Sequence, residues 1–184
     1  MSPELFEQLA GQAFEADRSR MEMFGGRVWS RSAPDGAHTG ILAWLVREFL
    51  ARRAEIALIT SGLGLKVGAH REERARPDGI LVPAGLFDDA GDWADPGGVL
   101  AVVEVTFWDA DTLARDRVEE PAAYAETGID LYLLVDRDAN ALVVHSRPVQ
   151  GQYLDRSIYP FGEAAPLPGM EVALDTEPLE RFAR

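Results

Sequence analysis

VLAVVEVTF, residues 99–107, decides how the chain folds. It is a continuous apolar run of strand-forming residues interrupted by one acid, Glu104. A strand without polar alternation is covered on both faces, so this one belongs in the middle of a sheet. An ionised carboxylate there costs on the order of several kcal/mol unless it is compensated. An acid in a central strand therefore needs a partner, and Arg76 or a metal ion are the candidates.

A second acid stands in a related place. In RPDGILV, residues 76–82, Asp78 follows a proline and directly precedes a short apolar strand. If the two strands are neighbours, both carboxylates converge on one side of the sheet. A divalent ion bridging them would offset both their repulsion and their loss of water. Mg²⁺ suits such a site because it accepts a few carboxylates and keeps several waters. One of those waters can become nucleophilic while the ion polarises a phosphodiester oxygen.

Outward from these segments the pattern is mixed. Ser2 and Pro3 start a helix to about Asp17, with Leu5, Phe6, Leu9 and Phe14 at roughly helical spacing. MEMFGGRVWS, residues 21–30, reads as a hairpin, because paired glycines can take the positive φ angles of a two-residue turn. Asp35 caps a long helix with Ile41, Leu42, Leu45, Phe49 and Leu50 on one face. EIALITS (55–61) and LKVG (65–68) are strands, and residues 84–97 form a solvated, aspartate-bearing loop. After the central strand come a turn through Trp108 to Asp111 and an amphipathic helix to about Glu126, kinked at Pro121 or beginning there. DLYLLVD (130–136) and ALVVHSR (141–147) are two further strands, and the C-terminal third reads as short extended pieces. The fold class is α/β of the mixed α+β kind, a central mixed β-sheet flanked by helices behind an N-terminal helix and hairpin.

Composition narrows the chemistry. A chain of 184 residues suits one domain, residues 1–184. The absence of cysteine excludes disulfides and thiolate metal sites and leaves His38, His70 and His145 as nitrogen ligands, so any metal should be a hard ion held by oxygens. A net charge of −13 opposes nonspecific adhesion to nucleic acid. Locally, though, Arg71, Arg74 and Arg76 crowd beside Asp78, and Arg115 and Arg117 follow Glu104. No apolar run approaches the ~20 residues of a membrane span and the N-terminus has no signal-peptide pattern, so a cytoplasmic protein is expected. His70 and His145 read as surface or loop residues, and the tryptophans as packing.

RPDGILV, then VVEVT, then RDRVEEPAAYAETGIDLYLLVD, then LPGMEVAL resemble, in order and spacing, the Uma-type putative restriction endonuclease family, a bacterial branch of the PD-(D/E)xK nuclease superfamily. MEMFGGRVWS and DGAHTGILAWL are similar to that family's N-terminal hairpin and following helix, so the resemblance covers nearly the whole chain. It implies a restriction-endonuclease-like core that cleaves DNA with Mg²⁺ or Mn²⁺. Asp78 and Glu104 would be the metal-binding acids, Glu22 in the hairpin would assist, and His38 would relay protons or hold a phosphate. The chain departs from the pattern at the catalytic lysine. Thr106 stands at its usual place and Glu120 at the place in the following helix to which this branch moves it. Arg115, Arg117 or Lys66, the only lysine, are the candidate substitutes, with Arg117 expected to serve the phosphate. The alternative is a catalytically impaired nuclease-fold module acting by protein association as a homodimer, which Glu120 and the acidic charge favour.

Overall fold

The structure is a computed structural model, and it describes residues 1–31, 33–60, 62–106 and 119–183. The apolar segment around Glu104 forms β8, Ala101–Val105, buried at every position. It lies between β6, Gly79–Pro83, and β9, Leu131–Asp136, in a six-stranded sheet. β8 runs antiparallel to β6, pairing Gly79 with Val103, and parallel to β9, pairing Glu104 with Leu134. β3, Ile56–Ile59, forms one edge of this sheet. At the other side β9 continues into β10, Ala141–Val149, and β11, Gln152–Pro160, which is the opposite edge. β11 is a nine-residue strand rather than a short extended piece, and it exposes Leu154 and Ile158.

The two faces of this sheet carry separate cores. Ala101, Val103, Val105, Leu133 and Val135 pack with Ile41, Leu45 and Phe49 of helix α2, Gly36–Arg52. The α2 face differs from the sequence expectation, since Leu50 is exposed and Trp44 takes a buried place. Behind this layer lie a small hairpin, β12 (Ala164–Leu167) with β13 (Val172–Asp175), and a closing 3₁₀ turn, Glu177–Phe182.

The opposite face presents Ile80, Val82, Val102 and Leu134 to Tyr124 of helix α3, Glu120–Thr127. Pro121 stands in the first turn of α3, where its missing N–H costs nothing, so the helix begins at the proline rather than kinking there. The same core includes Leu65, Val67 and Ala75 of a second, five-stranded sheet ordered β2-β1-β5-β4-β7. Its strands are β1 (Arg20–Phe24), β2 (Arg27–Arg31), β4 (Gly64–Val67), β5 (Glu73–Ala75) and β7 (Trp93–Ala94). β7 falls inside the stretch 84–97 that composition marks as loop. Helix α1, Pro3–Asp17, is capped by the Ser2 hydroxyl and buries Phe6 and Ala10, while Leu5, Leu9 and Phe14 face outward. No described helix is long and apolar enough to cross a membrane.

Candidate active site

The site begins at the hairpin. Gly25 and Gly26 take φ of 54° and 75°, the pair of left-handed residues that closes a two-residue turn with the twist of its strands. That turn sets the register, pairing Glu22 with Trp29 and Arg20 with Arg31. Glu22 and Arg31 are thereby diagonal neighbours on one face, and Arg31 Nη1 donates to Glu22 Oε1 at 3.2 Å. β1 then pairs with β5 at Met23 and Arg74, and the backbone N–H of Arg76, just past β5, donates to the same Glu22 oxygen at 2.6 Å.

Asp78 follows two residues later and is tied to the end of the central strand, where its Oδ2 accepts from the Val105 N–H at 2.9 Å. A side chain on the next residue would meet Leu58 at 3.0 Å and the Val103 Cβ at 3.2 Å, so Gly79 lets β6 close on β3 and β8 beside the acid. Glu104 points to the α3 face of the sheet. The Tyr124 hydroxyl donates to its Oε1 at 3.3 Å. Asp78 and Glu104 therefore do converge, and what lies between them is Arg31. Its Nη2 is 2.6 Å from Asp78 Oδ1 and 3.1 Å from Glu104 Oε2.

The histidine joins from α2. Asp35 caps that helix by accepting from the His38 N–H at 2.7 Å. Arg137, buried at the end of β9, grips both Asp35 oxygens at 3.3 and 3.1 Å. The start of α2 is thus fixed to the central sheet, and His38 Nε2 reaches Asp78 Oδ2 at 3.0 Å.

A fourth acid completes the cluster. Glu120, at the start of α3, is fully buried and close enough to Glu104 to affect its ionisation. Burial pushes the Glu104 carboxyl well up, and the charge of Glu120 pushes it further, against the pull of Arg31. Asp78 moves the opposite way. Burial raises it, but the Arg31 charge and the His38 hydrogen bond prevail and hold it below the ordinary carboxylate range. For Arg31, burial favours loss of the proton, but Asp78, Glu104, Glu22 and Glu120 together hold the guanidinium firmly charged. Burial and the nearby acids likewise keep the Tyr124 phenol protonated.

Arg31, His38 and Asp78 form the floor of a cleft of about 770 Å³ whose walls add Arg18, Arg20 and Arg76. The acidic protein therefore presents a locally cationic opening. Arg76 is not the partner of Glu104. Its guanidinium donates to the Gly62 carbonyl at 2.5 Å and lies 4.2 Å from the Trp93 ring centroid. Trp93 thus has a basic neighbour as well as its packing role. Lys66 does not lie on a strand paired with the one after Asp78, because β4 pairs with β5 and β7 rather than with β6, and its charge acts on Glu4 of α1. Arg115 and Arg117 lie outside the described residues. His145 is not a loop residue. It sits on β10 between the rings of Tyr132 and Tyr153, and burial lowers its pKa to about 4.

Sequence reasoning missed Arg31, although the signal was present, since a Gly-Gly turn fixes which residues share a face with Glu22. The donor set suits a hard divalent cation in chemistry and charge, being made of buried carboxylate oxygens with few cations among them. Among the described residues, however, no three acid or histidine side chains are grouped for one ion. Glu22, Asp78 and Glu104 are gathered around the guanidinium instead.

The fold is similar to that of a solved putative nuclease belonging to DUF820 from Anabaena variabilis ATCC 29413, with a TM-score of 0.70, 14% identity, and coverage of 99% of this chain and 98% of that one. The architecture is thus restriction-endonuclease-like. No curated protein matches the chain. The sequence matches the Uma2 family, described as putative restriction endonucleases, over residues 3–177. With the match spanning nearly its entire length, the chain belongs to the Uma2 family.

Proposed function

We propose that the protein is a metal-dependent endonuclease that hydrolyses DNA phosphodiester bonds at the floor of the arginine-lined cleft. The observation that carries this reading is the convergence of Glu22, Asp78 and Glu104, from three different strands or strand ends, on one point beneath that cleft. Membership of a family described as putative restriction endonucleases supports it.

Asp78 and Glu104 would hold the ion, Mg²⁺ or Mn²⁺, with Glu22 as the third acid. When bound, the ion polarises a phosphodiester oxygen and lowers the pKa of an attacking water. The chain's own residues supply the rest. Arg18, Arg20 and Arg76 meet the substrate's phosphates at the cleft wall. His38, fixed by the Asp35–Arg137 clamp, orients Asp78 through Nε2. Thr106, at the ordinary lysine position, serves the fold by accepting a hydrogen bond from the Arg137 N–H at 2.9 Å.

A second reading, a nuclease-fold module that associates with itself or other proteins without cleaving, draws on one observation. Glu120 adds a buried negative charge where the family branch places its lysine. Calorimetric titration with Mg²⁺ and Mn²⁺, together with cleavage of supercoiled plasmid, separates the two. The nuclease reading requires metal binding and nicking by the wild type and loss of both in Glu104→Ala. A wild type that binds metal but leaves plasmid intact supports the non-cleaving module. A wild type that binds no metal and cleaves nothing sinks the nuclease reading.

A further inference from the structure

We propose that Arg31 is a resident cation of the acid cluster that the divalent ion must displace, and that the released guanidinium then serves in the cleft as the phosphate-facing positive charge. The inference rests on the nuclease reading above and deepens it.

Three observations carry it. The first is position, since one guanidinium contacts Glu22 at 3.2 Å, Asp78 at 2.6 Å and Glu104 at 3.1 Å. Those are the carboxylates an ion would need, and the guanidinium occupies one oxygen of each, so the two cations compete for them. The second is charge. With Glu120, four buried or nearly buried acids surround the single positive charge of Arg31. A divalent ion in that place brings twice the compensating charge and binds oxygens at shorter range. Exchange is therefore favoured once the ion is abundant. The third is reach. Arg31 ends β2, its side chain is 13% exposed and it lines the cleft, so it can swing outward without crossing a packed core.

The released side chain also meets a need. Threonine and glutamate stand at the two places where a lysine would supply positive charge near the phosphate. Arg31 is the cation already at the cluster. A guanidinium stays protonated, so its part is charge and orientation rather than proton transfer. The protein so built binds metal weakly and is quiet until metal and phosphate arrive together, because the phosphate gives the displaced arginine a new partner.

The test is Mn²⁺ titration calorimetry on the full chain as wild type, Arg31→Met, Arg31→Lys and Glu104→Gln. Expected is Mn²⁺ affinity at least about tenfold higher in Arg31→Met than in wild type, the scale of an ordinary coupling between two exclusive ligands. Plasmid cleavage at saturating Mn²⁺ should be slower in Arg31→Met and partly kept in Arg31→Lys. Equal affinities in wild type and Arg31→Met, with binding lost in Glu104→Gln, would overturn the exchange and leave the metal site standing. Absence of binding in all four proteins would instead overturn the nuclease reading and the exchange with it. Should Arg31→Met fail to fold, the wild type alone decides. Its Arg31 guanidinium N–H signals in ¹⁵N spectra should lose protection from water exchange as Mg²⁺ is added, and unchanged protection refutes the displacement.

Discussion

The two faces of the six-stranded sheet are built from the same strands, yet they do different things. On the α2 side, Val103, Val105, Leu133 and Val135 interlock with apolar helix residues, and polar partners enter at the start of α2, where Asp35 meets Arg137 and His38 meets Asp78. On the α3 side the same alternation of β8 delivers Val102 and then Glu104. That single exchange of an apolar side chain for a carboxylate brings Arg31, Tyr124 and Asp78 with it, since a charge in that layer must be met. The site is thus a local departure from the core's own pattern, backed on the other side by an apolar core.

The independence of the two faces is testable from either side. Leu133→Ala on the apolar face should lower stability by about 2–5 kcal/mol, read by denaturant unfolding, and leave metal affinity unchanged. A large change in metal binding by this variant would show that the two faces are not independent. Glu104→Gln on the polar face should do the reverse. Plasmid cleavage should fall by about two to three orders of magnitude or more, while the thermal midpoint holds or rises, because a neutral amide relieves the repulsion from Glu120. A strongly destabilised Glu104→Gln would show that the carboxylate serves the fold.

Smaller effects sharpen the picture. Asp35→Ala removes the cap of α2 and should cost about 0.5–2 kcal/mol. Because Asp35 also fixes the helix start that carries His38, turnover should drop more than stability alone explains. The least effect concerns His145, on the α3 side with Tyr132 and Tyr153. Its pKa falls from 6.5 to about 4, so the folded protein binds fewer protons than the unfolded chain between those values. Stability should decline as pH drops from 6.5 toward 4. His145→Phe should flatten that decline, and an unchanged slope would mean that the histidine carries no part of it.

Much of this was legible from the residues. The buried run around Glu104 named the central strand, Pro77 and Asp78 marked the start of another whose pairing with it only the structure supplies, and Asp35, Ser2 and the paired glycines placed two caps and a turn. What was not legible depended on direction. Helical spacing gives a face but not which way it turns, so Leu5, Leu9, Phe14 and Leu50 were expected inside and stand outside. Lys66 lies near Asp78 in sequence, but pairing carries β4 into the other sheet. Arg31 has the identity of any surface arginine, and only hairpin register and sheet packing together reveal what it meets.

The rim of the larger sheet has a colloidal consequence. β11 ends that sheet as an open nine-residue ladder bearing Leu154 and Ile158, a shape that invites another chain to add its own strand. Asp155 and Arg156 stand at its middle, and Asp155 is held by Arg147 at 3.1 Å. Charges placed there oppose such strand addition, the role of gatekeepers that keep an open edge from seeding aggregation.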